Sequence, residues 1–378
     1  MIFKKYYSLI IKILSYIKID LFNLKYIVIK LFKFIYSVIL LPIEILGDMI
    51  FSYKRFFSFN ISDPKKILII KIDQMGDVLF STMLLPLIKE KYPQSDIDYV
   101  INKKAEQILI NNPHINNIYY WQSFILNNVP GRGKFSFISW KNNLSTWRML
   151  KQQKYDIIIN ARSFIPSSNL SWKFLNPKKL IAFNISQQSF LTDNIVSYNL
   201  YAEEWQNYLN LLKPLGINKI EGEPRSEFFN VSDCNIESEN LAIISPISFN
   251  SERSWSLEKW IKAVKILIKK NYLVILIGTR EQKECLEKIK DNTNSLIFID
   301  SIPKLADLIK KADLFLGVES FPAHLALTFK IKLFSVVNTK LFYVSGKSKH
   351  KIIDGRSMLS QFSNVKIIDL NENPEDVL

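Results

Sequence analysis

The chain has 378 residues, 48% of them hydrophobic, enough to bury two cores of ordinary domain size. Its 50 Lys and Arg against 35 Asp and Glu leave a formal charge of +15, which suits an anionic membrane or nucleic acid, though coding bias toward Lys, Asn and Ile produces the same excess. The two cysteines, Cys234 and Cys285, form no CxxC pair, and the three histidines form no HExxH; this excludes a disulfide framework and the familiar zinc spacings, and fits a reducing compartment.

Residues 1–60 carry nine Lys/Arg against three Asp/Glu, or +6, leaving +9 for the other 318 residues. Their longest charge-free run, Phe34 to Ile43, is ten residues, well short of the roughly 18 or more that a spanning helix needs. Lysines recur throughout, unlike the single basic cluster of a cleavable signal peptide. At about 100° per residue, Lys4, Lys5, Lys12, Lys18, Lys25, Lys30 and Lys33 fall within an arc of about 160°. Ser8, Ser15 and Ser37 share that arc and Asp20 is the exception, while the other side is Ile, Leu, Phe and Tyr. Such a helix is expected to lie in a membrane interface with its lysines against anionic head groups. The plainer alternative is a helix packed on the protein's own body with solvated lysines. Pro42 and Gly47 end the run, and "FNISDPKK" is the linker that follows.

From Lys66 the pattern alternates. "KILIIK", a helix after Gly76, "DIDYVI", a helix near 103–110, "NNIYYW", a helix near 142–153 and "YDIIIN" form one series. A second runs through "LAIISP", a helix over 257–270, "YLVILIG", a helix near 281–290, "LIFID", a helix near 304–311, "LFLGV", a helix near 322–329 and "KLFSVV". Alternation of this kind predicts an α/β fold of two facing Rossmann-like domains, each with a parallel sheet. The expected divisions are 1–60, 61–225 and 226–378.

Ligands of open parallel sheets sit beyond the carboxyl ends of the strands. That rule singles out loops 72–77, 160–168, 246–255, 278–282 and 317–324. In "IDQMGD", Gly76 permits a tight backbone and Asp77 lands in the first helical turn, where the dipole favours its charged form. Asp77 is either a helix cap or a group facing substrate, and Asp73 is the competing carboxylate. In "SPISFNSERSWSLEKW", Arg253 is either a phosphate clamp or a surface partner of Glu252. Ser256 is the expected cap of the next helix, and Trp255 and Trp260 are expected to be core or cover. "LFLGVESFPAHLAL" brings Gly317, Glu319, Ser320, Pro322 and His324 together. With Pro322 at the first helical position, the amides around Ser320–Ala323 make an anion site that a carboxylate and an imidazole could support. The competing reading is a helix capped by Ser320 with a satisfied buried His324. "DID" (Asp96, Asp98) opens a second strand of the series, so it is expected at a surface strand end rather than on a metal. No GxGxxG or GxxxxGK occurs.

Taken together, these motifs resemble glycosyltransferase family 9, the ADP-heptose:lipopolysaccharide heptosyltransferases. The matching elements are the opening "ILIIK" with its Gly-Asp pair, the "YP" before "DID", and "GVESFPAHLA", over roughly residues 64–370. The resemblance implies the GT-B fold, an inverting reaction and no metal or other cofactor. It places the acceptor mainly on the first domain and the nucleotide sugar, an ADP-sugar in first place, mainly on the second. By the same resemblance Asp77 is the general base, Arg253 the phosphate-binding residue and Glu319 the strand-end acid, followed by Ser320 and His324. Backbone around Phe321, Pro322 and Ala323 meets the diphosphate, and Glu281 or Glu284 holds the ribose. The family commonly has glycine where this chain has Phe321, and aspartate where it has Glu319.

The expected function is therefore a metal-independent inverting glycosyltransferase of lipopolysaccharide biosynthesis, peripheral at the cytoplasmic face of a bacterial inner membrane. Its expected partners are a nucleotide-sugar donor, a glycan or lipid-linked acceptor and the anionic membrane surface. A second hypothesis, favoured by Phe321, is a catalytically silent membrane-associated scaffold that keeps the fold. Nucleic-acid binding is not expected, because the lysine stripe pairs with an aliphatic face rather than with base-stacking aromatics.

Overall fold

The computed structural model of the chain describes residues 61–122, 137–162, 169–184, 191–199, 204–218, 229–247, 254–337 and 365–378, together with Leu46. The basic N-terminal segment, Leu46 apart, lies outside the described residues. Among the described residues no helix is long and apolar enough to cross a membrane. The chain divides into two compact units, Met1–Glu106 with Pro113–Gly222, and Gln107–Asn112 with Glu223–Leu378.

In the first unit six strands, β1 (Lys66–Lys71), β2 (Asp96–Ile101), β3 (Asn117–Tyr120), β4 (Ile157–Asn160), β5 (Lys179–Phe183) and β6 (Asn194–Val196), form one sheet in the order β3-β2-β1-β4-β5-β6. Every pairing in it is parallel. Among the described residues with defined bounds, the chain's first helices are α1 (Met75–Ser81), α2 (Leu84–Lys91), α3 (Glu106–Leu109), α4 (Phe137–Gln152), α5 (Asn169–Lys173) and α6 (Glu204–Asn210). A continuous Ile/Leu run makes β1 a central strand because both of its faces must be covered, and Ile67 through Lys71 are all buried. Leu68, Ile70, Val100, Ile158 and Leu180 meet in one of the resulting cores.

The second unit repeats the plan with β7 (Leu241–Ser245), β8 (Leu273–Ile277), β9 (Leu296–Phe298), β10 (Leu314–Val318), β11 (Lys332–Val337) and β12 (Val365–Asp369), ordered β12-β11-β10-β7-β8-β9. Its pairings are parallel as well. Its helices among the described residues are α7 (Leu257–Lys269), α8 (Lys283–Lys290), α9 (Ile302–Lys310), α10 (Phe321–Thr328) and α11 (Pro374–Val377). Helix α7 starts as the sequence suggests: the Ser256 hydroxyl accepts the Lys259 amide at 3.4 Å. Its Trp260, Ala263, Val264 and Leu267 are buried, the spacing of one helical face. Trp255 and Trp260 are core residues whose rings stand 5.0 Å apart.

Each sheet begins in its middle, builds to one side and then crosses back. The direction therefore reverses between β1 and β4 in the first sheet and between β7 and β10 in the second. Those two reversals mark where a doubly wound sheet binds ligand.

The structure corrects the reading of the Asp96–Asp98 pair. Asp96 is exposed, accepting the Asn116 amide at 2.8 Å. Asp98 is instead buried, bonded by the Tyr155 hydroxyl at 2.6 Å and the Asn117 amide at 2.9 Å. Burial and that carboxylate both push the Tyr155 hydroxyl up from its ordinary value. Asp98 is thus a core acceptor rather than a surface group.

At the second reversal β10 lies against β7 with Gly317 opposite Ser245. A Cβ at 317 would stand 2.8 Å from the Ser245 carbonyl oxygen and 2.9 Å from both Ser245 Cβ and the Phe315 ring. Backbone cannot yield as a flexible side-chain end does, so Gly317→Ala should cost about 1–3 kcal/mol, as overpacked sites do. A urea denaturation midpoint equal to that of the parent chain would show that the seam tolerates a methyl group.

Candidate functional site

In the first unit the site grows from a charged residue at the end of an apolar strand. Lys71 closes β1, and its side chain is only 1% exposed. A buried ammonium needs compensation. Asp73, two residues on, supplies it at 2.9 Å, and the Ala161 carbonyl accepts from the same ammonium at 3.2 Å. Arg162, just beyond β4, reaches Asp73 Oδ1 through Nε at 3.3 Å. The face of the Tyr208 ring, on α6, lies 4.7 Å from Lys71 Nζ. Strands β1 and β4 are neighbours, so this cluster stands at the first sheet's reversal.

Burial alone would push the Asp73 carboxyl up, but the adjacent Lys71 ammonium and Arg162 guanidinium outweigh it and hold the group below the ordinary aspartate range. Asp73 is therefore an anchor for cations and a weak proton acceptor.

Asp77 stands differently. The cap position of α1 belongs to Gln74, whose backbone is extended. Asp77 is the third residue of the helix, in its first turn and half-buried. It is thus not the N-cap, though the helix dipole still favours its ionised form. Helix α1 packs on β1 and α6, and the Tyr208 hydroxyl lies 3.4 Å from Asp77 Oδ1. Gly76 is buried within the same helical turn.

Sequence reasoning named neither Lys71, Arg162 nor Tyr208. A lysine ending a strand that is apolar on both faces was the available signal for Lys71. Arg162 lay in a loop already singled out. For Tyr208 there was none, because the short helix carrying it was not anticipated.

In the second unit, the loop after β10 carries Glu319 and Ser320, and α10 follows from Phe321. Pro322 is the second helical residue rather than the first. Ser320 occupies the cap position, but its side chain makes no cap bond and its hydroxyl turns back to the Val318 carbonyl at 3.2 Å. In a first helical turn the amides lack intrahelical acceptors, which applies here to those of Phe321 and Ala323. His324 is buried, with Nε2 3.4 Å from Glu319 Oε1. The Phe321 ring lies against that of Phe229, centroids 6.2 Å apart. Glu281 is exposed on the short 3₁₀ turn Arg280–Gln282 that follows β8. Glu284 is on α8, paired with Lys288 at 2.9 Å. Arg253 falls in residues 248–253, outside the described residues.

Asp233, Cys234 and Asp307 bring three potential metal-ligating atoms together in this unit. Lys311 already sits among them, 2.9 Å from Asp233 and 2.8 Å from Asp307. Its ammonium is raised above the ordinary lysine value by those two carboxylates. The cluster is accounted for as an ion-pair network that ties the segment before β7 to α9.

Comparison with known proteins bears on this arrangement. Residues 143–340 match the family described as glycosyltransferase family 9 (heptosyltransferase). The lipopolysaccharide core heptosyltransferase OpsX of Haemophilus influenzae is 24% identical over 282 residues, covering 70% of this chain and 76% of that protein. The structure of E. coli ADP-heptose lps heptosyltransferase II superposes with a TM-score of 0.62 at 15% identity, over 82% of this chain and 96% of that one. E. coli heptosyltransferase WaaC with ADP-2-deoxy-2-fluoro heptose gives 0.61 at 14% identity, over 82% and 97%. The two sheets and their helices thus form the GT-B-like fold of those structures.

The ion cluster predicts a pH dependence of stability. Asp73 has a folded value below its ordinary 3.8, so at lower pH the unfolded chain binds a proton there that the folded chain does not. Its contribution is complete above the ordinary value and is lost as pH falls through the folded one. Asp73→Asn should destabilise the chain at pH 7 by about 3 kcal/mol, the lower end for breaking a buried pair. In urea titrations the gap to the parent chain should narrow below pH 4. A gap independent of pH would show that the carboxylate charge is idle.

Proposed function

Because the chain belongs to glycosyltransferase family 9, the heptosyltransferase family, and is a glycosyltransferase, we propose that it moves heptose or a closely related sugar onto a glycan or lipid-linked acceptor such as lipopolysaccharide. The donor is a nucleoside diphosphate sugar, an ADP-sugar first among them, and transfer proceeds with inversion and without a metal ion. Relatives named for lipopolysaccharide heptose transfer, and structures titled with ADP and an ADP-heptose analogue, support the substrate class.

One observation carries the mechanism. Of the two carboxylates beyond β1, Asp73 is locked between Lys71 and Arg162, and Asp77 stands in the first turn of α1 at the ligand-binding end of the sheet. Asp77 is the base: it takes the proton of the acceptor hydroxyl as that oxygen attacks the anomeric carbon from the face opposite the leaving diphosphate. The charge growing on the diphosphate is met by Arg253 and by the amides of Phe321 and Ala323. Pro322 has no N–H and shapes the turn instead. Glu319, Ser320 and His324 hold donor oxygens, and Glu281 the ribose. The Phe321 ring has an apolar partner in Phe229, so its bulk is no argument for a silent scaffold. The enzyme works as a peripheral protein at the cytoplasmic face of the bacterial inner membrane, held there by the lysine-striped face of residues 1–60.

Asp77→Asn should lower kcat by about 10²–10⁴-fold, the usual contribution of a positioned base, with ADP binding by calorimetry unchanged; retained turnover would remove Asp77 from the mechanism. Arg253→Ala should raise the KM for the donor, and unaltered donor kinetics would sink its clamp role. Deleting residues 1–60 should abolish sedimentation with vesicles rich in anionic lipid, and equal binding by the truncated chain would refute the anchor.

A further inference from the structure

The transfer chemistry does not use the groups that lie behind Asp77. Tyr208 is completely buried, on a helix that packs against α1. Its hydroxyl is 3.4 Å from Asp77 Oδ1 and its ring face is 4.7 Å from the Lys71 ammonium. Phenylalanine would fill the same space, so the hydroxyl itself asks for an explanation. We propose that Tyr208 is a positioning residue for Asp77, its hydroxyl holding Oδ1 while the Lys71 ammonium against its ring strengthens that hydroxyl as a donor. This inference rests on the reading of Asp77 as the base.

The physical chain is short. A cation on the face of a phenol draws on the ring's electron density, which makes the O–H more acidic and a better donor. A hydrogen bond to the ionised form of a carboxyl favours that form. It also fixes the plane of the carboxylate, so that Oδ2 is presented in one orientation. The contact is longer than the roughly 2.7–2.8 Å of a mature O–H···O bond; bonds at catalytic carboxylates often tighten only as substrate binds. Lys71 is itself immobilised by Asp73 and the Ala161 carbonyl, so its position against the ring is fixed.

Other charged groups surround α1. Lys71 comes from β1, Asp73 from the loop beyond it, and Arg162 from beyond β4. Lys103 and Lys104 come from the 3₁₀ turn Lys103–Ala105, which packs on α1. Those two are exposed and screened by solvent, and Lys103 lies over the Tyr120 ring at 5.0 Å. Removing the Tyr208 oxygen leaves every one of these charges in place, which isolates the hydroxyl's effect.

The test is the titration of Asp77 in the full chain, followed by carbon NMR of aspartate-labelled protein, with the Asp77 signal identified by its loss in Asp77→Asn. Tyr208→Phe should raise the titration midpoint by about half to one pH unit, the equivalent of one hydrogen bond. Lys71→Met should raise it as well; should that variant fail to fold, Tyr208→Phe, which removes one oxygen atom, decides alone. With ADP-heptose and heptose-free lipopolysaccharide, the acidic limb of kcat should move upward by the same amount in Tyr208→Phe while the donor KM stays constant. An unmoved midpoint in Tyr208→Phe would overturn the inference. Turnover by Asp77→Asn would instead sink the base reading, and the NMR midpoint would still judge the contact with Tyr208.

Discussion

An ammonium buried at the end of a parallel strand is the constraint from which the first unit's site follows. Desolvating such a group costs several kcal/mol even after relaxation, and Lys71 is 1% exposed. Neither the Ala161 carbonyl nor the Tyr208 ring face can neutralise it, so a carboxylate must, and Asp73 is the one within reach of a short loop. Arg162 then shares that carboxylate. The same contacts tie the ends of β1 and β4 together. The segment from Lys71 to Asp77 therefore has little freedom, and α1 leaves the sheet in one direction.

The second sheet has the same strand order and meets the same need with backbone. Gly317 lets β10 lie against Ser245 at a distance no side chain allows. Ser320 continues in extended backbone and turns its hydroxyl away from the helix it precedes, so the amides of the first turn are not spent on a side-chain cap. Helix N-termini offer partial positive charge without a buried cation to compensate. Glu319 and His324 add a polar pair beside that turn, 3.4 Å apart. Identical topology thus carries two kinds of electrostatics, a formal cation cluster in one unit and peptide dipoles in the other.

Much of this was legible in the sequence, and the reasons it was differ by element. Strands such as "KILIIK" and "LFLGV" announce themselves because a central parallel strand is apolar on both faces. The helix at Leu257 was bounded by a cap serine and an amphipathic period. The strand-end rule then converted the alternation into loops, two of which carry Asp77 and the Glu319–His324 run. What stayed hidden lacks a periodic signal. Strands β5 and β6, five and three residues long, and the seven-residue α6 are too short for a period to emerge. Asp98 looked like a surface group because the strand start before it is polar, and only the distant Tyr155 reveals its burial. Tyr208 meets Asp77 across 131 positions of sequence, a pairing that no local pattern encodes.

The proposed mechanism gives the two loop carboxylates different work. A general base must take up a proton in the transition state and give it back afterwards, so its affinity has to sit within reach of the working pH. Protonating Asp73 would break its ion pairs to both Lys71 and Arg162. Protonating Asp77 disturbs its contact with a phenol hydroxyl, which can turn from donor to acceptor as the carboxyl gains its proton. On the proposed reading, the residue two positions from the buried lysine holds charge in place, and the one a helical turn later moves it.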